Sequence, residues 1–187
     1  MILSRRGLFT GSLATAMALQ AGLAEAQSDN EMTRMLRDLA PHDRAPAGAA
    51  PRRRTAVKRQ LRLRGGAGSV TVDISRRVEI TVFFDLNSAE LRAGSQIALD
   101  RLSQVLSNPI LLDQRFLIAG HTSADGDYDF NVALSHDRAH SVRNWLIGQG
   151  AIASPRLTAN GFGPDLLRNP NNPASPINRR VEVIAID

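Results

Sequence analysis

The chain has no cysteine among its 187 residues. That absence excludes disulfides, cysteine-ligated metals, thiol catalysis and a lipidated N-terminal cysteine. It does not fix the compartment, because a protein can fold in an oxidising space without using cysteine. Lysine is almost missing too. Lys58 is the single lysine among 23 basic side chains, a bias that carries no functional reading of its own. Aromatic residues make up only 4% of the chain, and none interleaves the run Arg52, Arg53, Arg54. A stacking platform for single-stranded nucleic acid is therefore not supported. No internal repeat is evident.

The net charge of +5 is unevenly placed. Residues 28–68 hold 10 Arg or Lys against 4 acids, a balance of +6, whereas residues 69–187 hold 11 against 13, a balance of −2. The high isoelectric point thus belongs to one segment and does not make the C-terminal part a nucleic-acid binder.

Residues 1–26 carry the pattern of an export signal. Arg5 and Arg6 form a basic start, residues 7–24 are uncharged and apolar to small, and Ala24-Glu25-Ala26 offers a small-x-small cleavage site. Ser4-Arg5-Arg6-Gly7-Leu8-Phe9 is similar to a twin-arginine motif. An ordinary secretory signal is the alternative; a retained anchor fits less well, because the stretch is rich in Ala, Ser, Thr and Gly. Residues 27–68 are expected to be a basic Pro/Ala/Gly-rich linker. A short helix over 29–40 is suggested by Met32, Met35, Leu36 and Leu39 at helical spacing, stopped by Pro41. Beyond it, few large apolar residues are present to offset chain entropy. This segment is expected either to touch an anionic membrane surface or an envelope protein, or to be a solvated tether.

Residues 69–187 form the expected folded domain. Val78, Ile80, Val82 and Phe84 alternate against Glu79, Thr81 and Phe83, which predicts a strand. Leu91, Ala98, Leu102 and Val105 predict a helix ending at Asn108-Pro109. Residues 116–119 read as a strand. Phe130, Leu134, Val142, Trp145 and Leu146 mark a second helix closed by Gly148 and Gly150, with Trp145 in the core. Strands over 156–160 and 180–186 complete the order βαβαββ, an α/β (α+β two-layer) domain with helices on a mixed sheet.

These residues also resemble a known family. Phe83-Phe84-Asp85 with Ser88-Ala89-Glu90-Leu91, Gly120-His121-Thr122, Asn131, Leu134-Ser135 with Arg138-Ala139 and Val142, Arg156-Leu157, Gly161-x-Gly163 and Asn178-Arg179-Arg180-Val181-Glu182 are similar, in order and spacing, to the OmpA C-terminal family. The resemblance covers residues 78–187. It implies a periplasmic or envelope module, associated with the outer membrane or wall. Such a module binds the diaminopimelate-containing stem peptide of peptidoglycan without catalysis or cofactor.

By motif match, Arg138 takes a ligand carboxylate through its planar fork. Asn131 presents its amide at the start of the same helix. Asp85 and Thr122, at the ends of neighbouring strands, line the pocket, and Arg179 is a further pocket arginine. One departure stands out. The family places Asp directly after Gly-His-Thr, where it meets the ligand ammonium; here that residue is Ser123, and Asp125 follows two residues on. Either Asp125 swings in on Gly126 or the ammonium clamp is lost. The second outcome leaves an envelope interaction protein with a degenerate wall site.

The remaining chemistry-bearing residues have plainer explanations. His121 is expected to pack or hydrogen-bond at a strand end. His136 and His140 have metal-compatible spacing but no following Glu and no obvious third ligand. Asp125, Asp127, Asp129 and Asn131 mimic the start of a calcium loop, yet Phe130 and His136 stand where Gly and Glu are needed. Ser135 lacks a base and an elbow. No metal is expected.

Overall fold

A computed structural model describes residues 11–44, 55–64, 68–85 and 87–187. Arg5 and Arg6 of the expected export motif, and Arg52, Arg53 and Arg54 of the basic run, lie outside the described residues. In chain order the elements are α1 (Gly11–Leu39), β1 (Lys58–Arg62), β2 (Ser69–Ile80), α2 (Gln96–Leu106), β3 (Arg115–His121), α3 (Tyr128–Gly148), β4 (Leu157–Gly161) and β5 (Arg180–Ile186). The strands form one mixed sheet in the order β1-β2-β5-β3-β4, with β3 and β4 parallel and every other pair antiparallel. The three helices sit on it, as the α+β reading of the sequence expects.

The last strand is placed in the middle. β5 slots between β2 and β3 and is buried on both faces. That accounts for its nearly continuous apolar sequence, since a strand with both faces covered needs no polar side. Val181, Val183 and Ala185 join the large core under the helices, and Ile184 and Ile186 join a smaller core on the opposite face. Leu99, Leu102, Leu106, Leu146, Phe116 and Ile118 are fully enclosed in the large core, each apolar side chain contributing about 1.5–3 kcal/mol by burial. Phe162 and Leu166 cap the smaller core.

Several expectations change. The first strand is hydrogen-bonded from Ser69 to Ile80, and residues 81–83 leave it in an extended run that returns as an isolated bridge between Phe84 and Leu91. The helix expected to include Leu91 starts only at Gln96. Phe130, expected to mark the apolar face of α3, is 47% exposed, and the buried face is instead Asn131, Ser135, Ala139, Val142 and Leu146.

The stretch expected to be linker contributes β1, whose Leu61 is buried in the smaller core. The helix expected over 29–40 is the C-terminal end of the longer α1. Met35 and Leu39 are buried there, with Met32 and Leu36 packed beside them. Among the described residues no helix is long and apolar enough to cross a membrane.

Buried polar groups fix this N-terminal addition. Arg76 donates to the Leu39 carbonyl and to Gln114 Oε1, tying α1 to the sheet. Asp73, 1% exposed, accepts from the backbone N–H of Val57 (3.0 Å) and of Ser75 (3.1 Å), and from the Ser75 hydroxyl (2.5 Å); it also lies 2.7 Å from His42 Nε2. Burial alone would raise its pKa, but the Ser75 hydroxyl and then the Val57 N–H outweigh it and hold the carboxyl below its ordinary value. Asp73→Ala removes the acceptor these groups share and is expected to cost roughly 2–3 kcal/mol. A urea midpoint within error of wild type would show the hub to be dispensable.

Candidate functional site

A cleft of about 720 Å³ opens where the extended exit of β2, the loop after β3, one face of α3 and the start of β5 converge. All seven residues singled out from the sequence line it: Asp85, Thr122, Ser123, Asp125, Asn131, Arg138 and Arg179. Asn131 and Arg138 share a face because seven residues make two helical turns. Asp85 and Thr122 follow β2 and β3, which are not neighbours as expected. β5 lies between them, and this insertion carries Arg179 into the middle of the cleft.

Local chemistry holds each wall. Ser95 anchors the β2 exit, accepting from the Phe83 N–H and donating to the Phe83 carbonyl. This keeps Ser95 from capping its own helix and sets Phe84 under Arg138, whose guanidinium carbon is 4.8 Å from the ring centroid. Asp127 caps α3 through the Phe130 N–H at 2.7 Å, which gives that aspartate of the calcium-like run a structural role. The Asn131 amide donates to the Asp125 carbonyl at 2.6 Å. One N–H of this amide thus braces the loop from the start of α3, where Asn131 lines the cleft. Asn178 accepts from the Asn169 N–H and donates to the Asn172 and Pro173 carbonyls, and Pro173 in turn accepts from the Ala124 N–H. Asn178 was quoted in the motif, but its bracing role had no signal beyond the residue type.

The polar groups facing the cleft are unevenly satisfied. Arg138 is half-buried. Its Nε donates to the Ser88 carbonyl at 2.9 Å, and a terminal nitrogen reaches the Asp85 carbonyl at 3.5 Å. Burial first, and then the positive charge of Arg179, pull it below the ordinary guanidine value. A guanidinium remains charged in any case. Arg179 reaches the Ser123 hydroxyl at 3.4 Å. Asp85 is exposed and pairs with Arg92 at 3.4 Å, a residue that no motif singles out. The Thr122 hydroxyl is buried without a hydrogen-bond partner among the described residues.

The other candidates resolve into packing. His121 is 3% exposed and stacks on Phe162 at 5.7 Å, with neither ring nitrogen hydrogen-bonded among the described residues. Burial, followed by the charge of Arg180, lowers its pKa to about 4. The Ser135 hydroxyl donates to the Val132 carbonyl and accepts from the Gly163 N–H. His136 and His140 lie with ring centroids 4.5 Å apart.

Comparison with known proteins points the same way as the motifs. Residues 83–181 match the OmpA family. The chain is 33% identical over 101 residues to a peptidoglycan-associated lipoprotein of Mesorhizobium japonicum, a match covering 54% of this chain and 56% of that protein. It is 38% identical over 82 residues to outer membrane protein A of Serratia marcescens, covering 44% of this chain and 23% of that protein. The matched region thus spans less than two thirds of either relative. Among solved structures, the OmpA-like domain of FopA1 from Francisella tularensis superposes with a TM-score of 0.51 at 18% identity, covering 79% of this chain and 96% of that one, which is a likeness of fold.

Proposed function

The chain belongs to the OmpA family, and from that premise we propose that its folded domain is a non-catalytic module of the cell envelope that holds the diaminopimelate-containing stem peptide of peptidoglycan in the cleft. One observation carries the proposal. Arg138 projects from a rigid helix into the cleft, half-buried, over the Phe84 ring and, among the described residues, hydrogen-bonded only to carbonyl oxygens, so its charge is available to a ligand carboxylate. The unpartnered Thr122 hydroxyl and the Arg179 guanidinium supply further donors beside it. Among the described residues nothing in the cleft supports chemistry on the bound group: the Ser135 hydroxyl is committed to backbone partners, and His121 is packed away as a neutral ring.

In this reading residues 1–26 direct export. The basic stretch, shortened as a tether by the presence of β1, meets an anionic membrane surface or an envelope partner.

Co-sedimentation of the purified chain with wall sacculi tests the proposal. Wild-type protein is expected in the pellet, and Arg138→Ala is expected to weaken binding by at least about tenfold, the equivalent of one charge-assisted hydrogen bond. Ser123 favours a second reading, an envelope interaction protein whose wall site has drifted. Wild-type protein left in the supernatant, unchanged by Arg138→Ala, would select that one.

A further inference from the structure

Among the described residues no carboxylate pairs with Arg138 or Arg179 in the cleft. Among the described residues Arg138 hydrogen-bonds only to carbonyl oxygens and lies over the Phe84 ring, Arg179 hydrogen-bonds only to the Ser123 hydroxyl, and neither forms an ion pair. Both guanidiniums line the same cleft. Negative charge is poorly placed by comparison. The acidic residues lining the cleft are Asp85 and Asp125; both are exposed, and Asp85 already faces Arg92. The enclosed position beside Arg179 belongs to Ser123, 5% exposed, whose hydroxyl contributes no charge.

We infer that this cleft selects its ligand by carboxylate alone: a bound amino acid is held by its distal carboxylate between Arg138 and Arg179, and its distal amino group is dispensable. The inference rests on the stem-peptide reading above and adds a specificity to it, with Ser123 as the determinant. An ammonium entering the cleft meets only exposed carboxylates through solvent, where an ion pair changes affinity by less than about fivefold. A carboxylate meets a half-buried guanidinium, and losing that contact changes affinity by about tenfold or more.

Calorimetric titration of the full chain with three stem tripeptides separates the possibilities. The first ends in diaminopimelate, the second is the same peptide with its distal amino group replaced by hydrogen, and the third ends in lysine and lacks the distal carboxylate. The first two are expected to bind within about fivefold of each other, and the lysine peptide about tenfold or more weaker. Ser123→Asp is expected to make the amino group matter, so that its removal costs about tenfold.

Fivefold or greater weakening of wild type on removal of the amino group overturns the inference while leaving the stem-peptide site intact. Equal binding of the lysine peptide overturns it as well. A Ser123→Asp variant with unchanged preference removes Ser123 as the determinant. Failure of all three peptides to bind sinks the site itself.

Discussion

Gly161→Ala is expected to destabilise the domain by about 3 kcal/mol or more, the upper end of what over-packing costs, and to lower Tm by roughly 10 °C. Gly161 on β4 pairs in register with Gly120 on β3, and together they make a flat patch on the sheet. The backbone of α3 rests on that patch. A Cβ at Gly161 would collide with the backbone nitrogen of His136 and with the Ser135 hydroxyl, and a Cβ at Gly120 would collide with the Ser135 carbonyl. The His136 nitrogen and the Ser135 carbonyl are main-chain atoms of a helix, so rotation of a side chain cannot relieve the clash. α3 would have to lift, and Arg138 on its cleft-facing side would lift with it. Gly148, at the helix end, is the control: nothing lies within 4 Å of its Cβ position, and Gly148→Ala is expected to leave Tm unchanged or slightly raised. Thermal unfolding of both variants checks the claim. A Gly161→Ala protein melting within 2 °C of wild type would mean that the close approach carries no energetic weight.

The same contact explains part of what the sequence could and could not disclose. The strands at 116–119 and 180–186 were legible as short apolar runs buried on both faces, and the later part of α3 by the helical spacing of Val142 and Leu146. Periodicity misplaced Phe130, since the tightest face of α3 is built from small and polar residues, Ser135 and Ala139, that no hydrophobic count rewards. β1 and the first half of β2 were missed for a related reason. β1 is basic and polar with one buried apolar residue, Leu61. The first half of β2 alternates Val70, Val72 and Ile74 against Thr71 and Asp73 but breaks off at a bulge before Arg77. Both strands are fixed by Asp73 and Arg76, whose partners include Val57 and Leu39, more than 15 residues away. Local pattern cannot show such bonds.

The cleft fared better. Its seven residues were chosen by motif, and the fold brings all seven to one cleft. Which of their atoms remain available was not legible. Asn131 turned out to brace a loop and Asp85 to face Arg92, and both facts depend on chain segments converging in space.

Between pH 7.5 and pH 5 the domain is expected to lose about 2 kcal/mol of stability through His121 alone. In the folded state its pKa is lowered from 6.5 to about 4, first by burial and then by the positive charge of Arg180, with Arg77 acting in the same sense and Glu182 opposing it. The folded value lies below the unfolded one, so on acidification the unfolded chain takes up the proton first. The stabilisation is present in full above about pH 6.5 and is lost as pH falls toward about 4, a total swing of roughly 3 kcal/mol.

The carboxylates act mainly below this window. In Glu182, burial raises the pKa, but the charges of protonated His121 and of Arg180 outweigh it and bring the group below its ordinary value, so its loss comes at lower pH. His140, lowered by burial and then by His136, contributes in the same direction but more weakly because it is more exposed, and it is retained in the variant described next. His121→Gln removes the one buried titrating ring. Its stability, read from urea midpoints, is expected to be flatter than wild type across pH 7.5 to 5 by about 2 kcal/mol. Parallel pH profiles for the two proteins would mean that the ring reaches water or a hydrogen-bond partner in solution and titrates as an ordinary histidine.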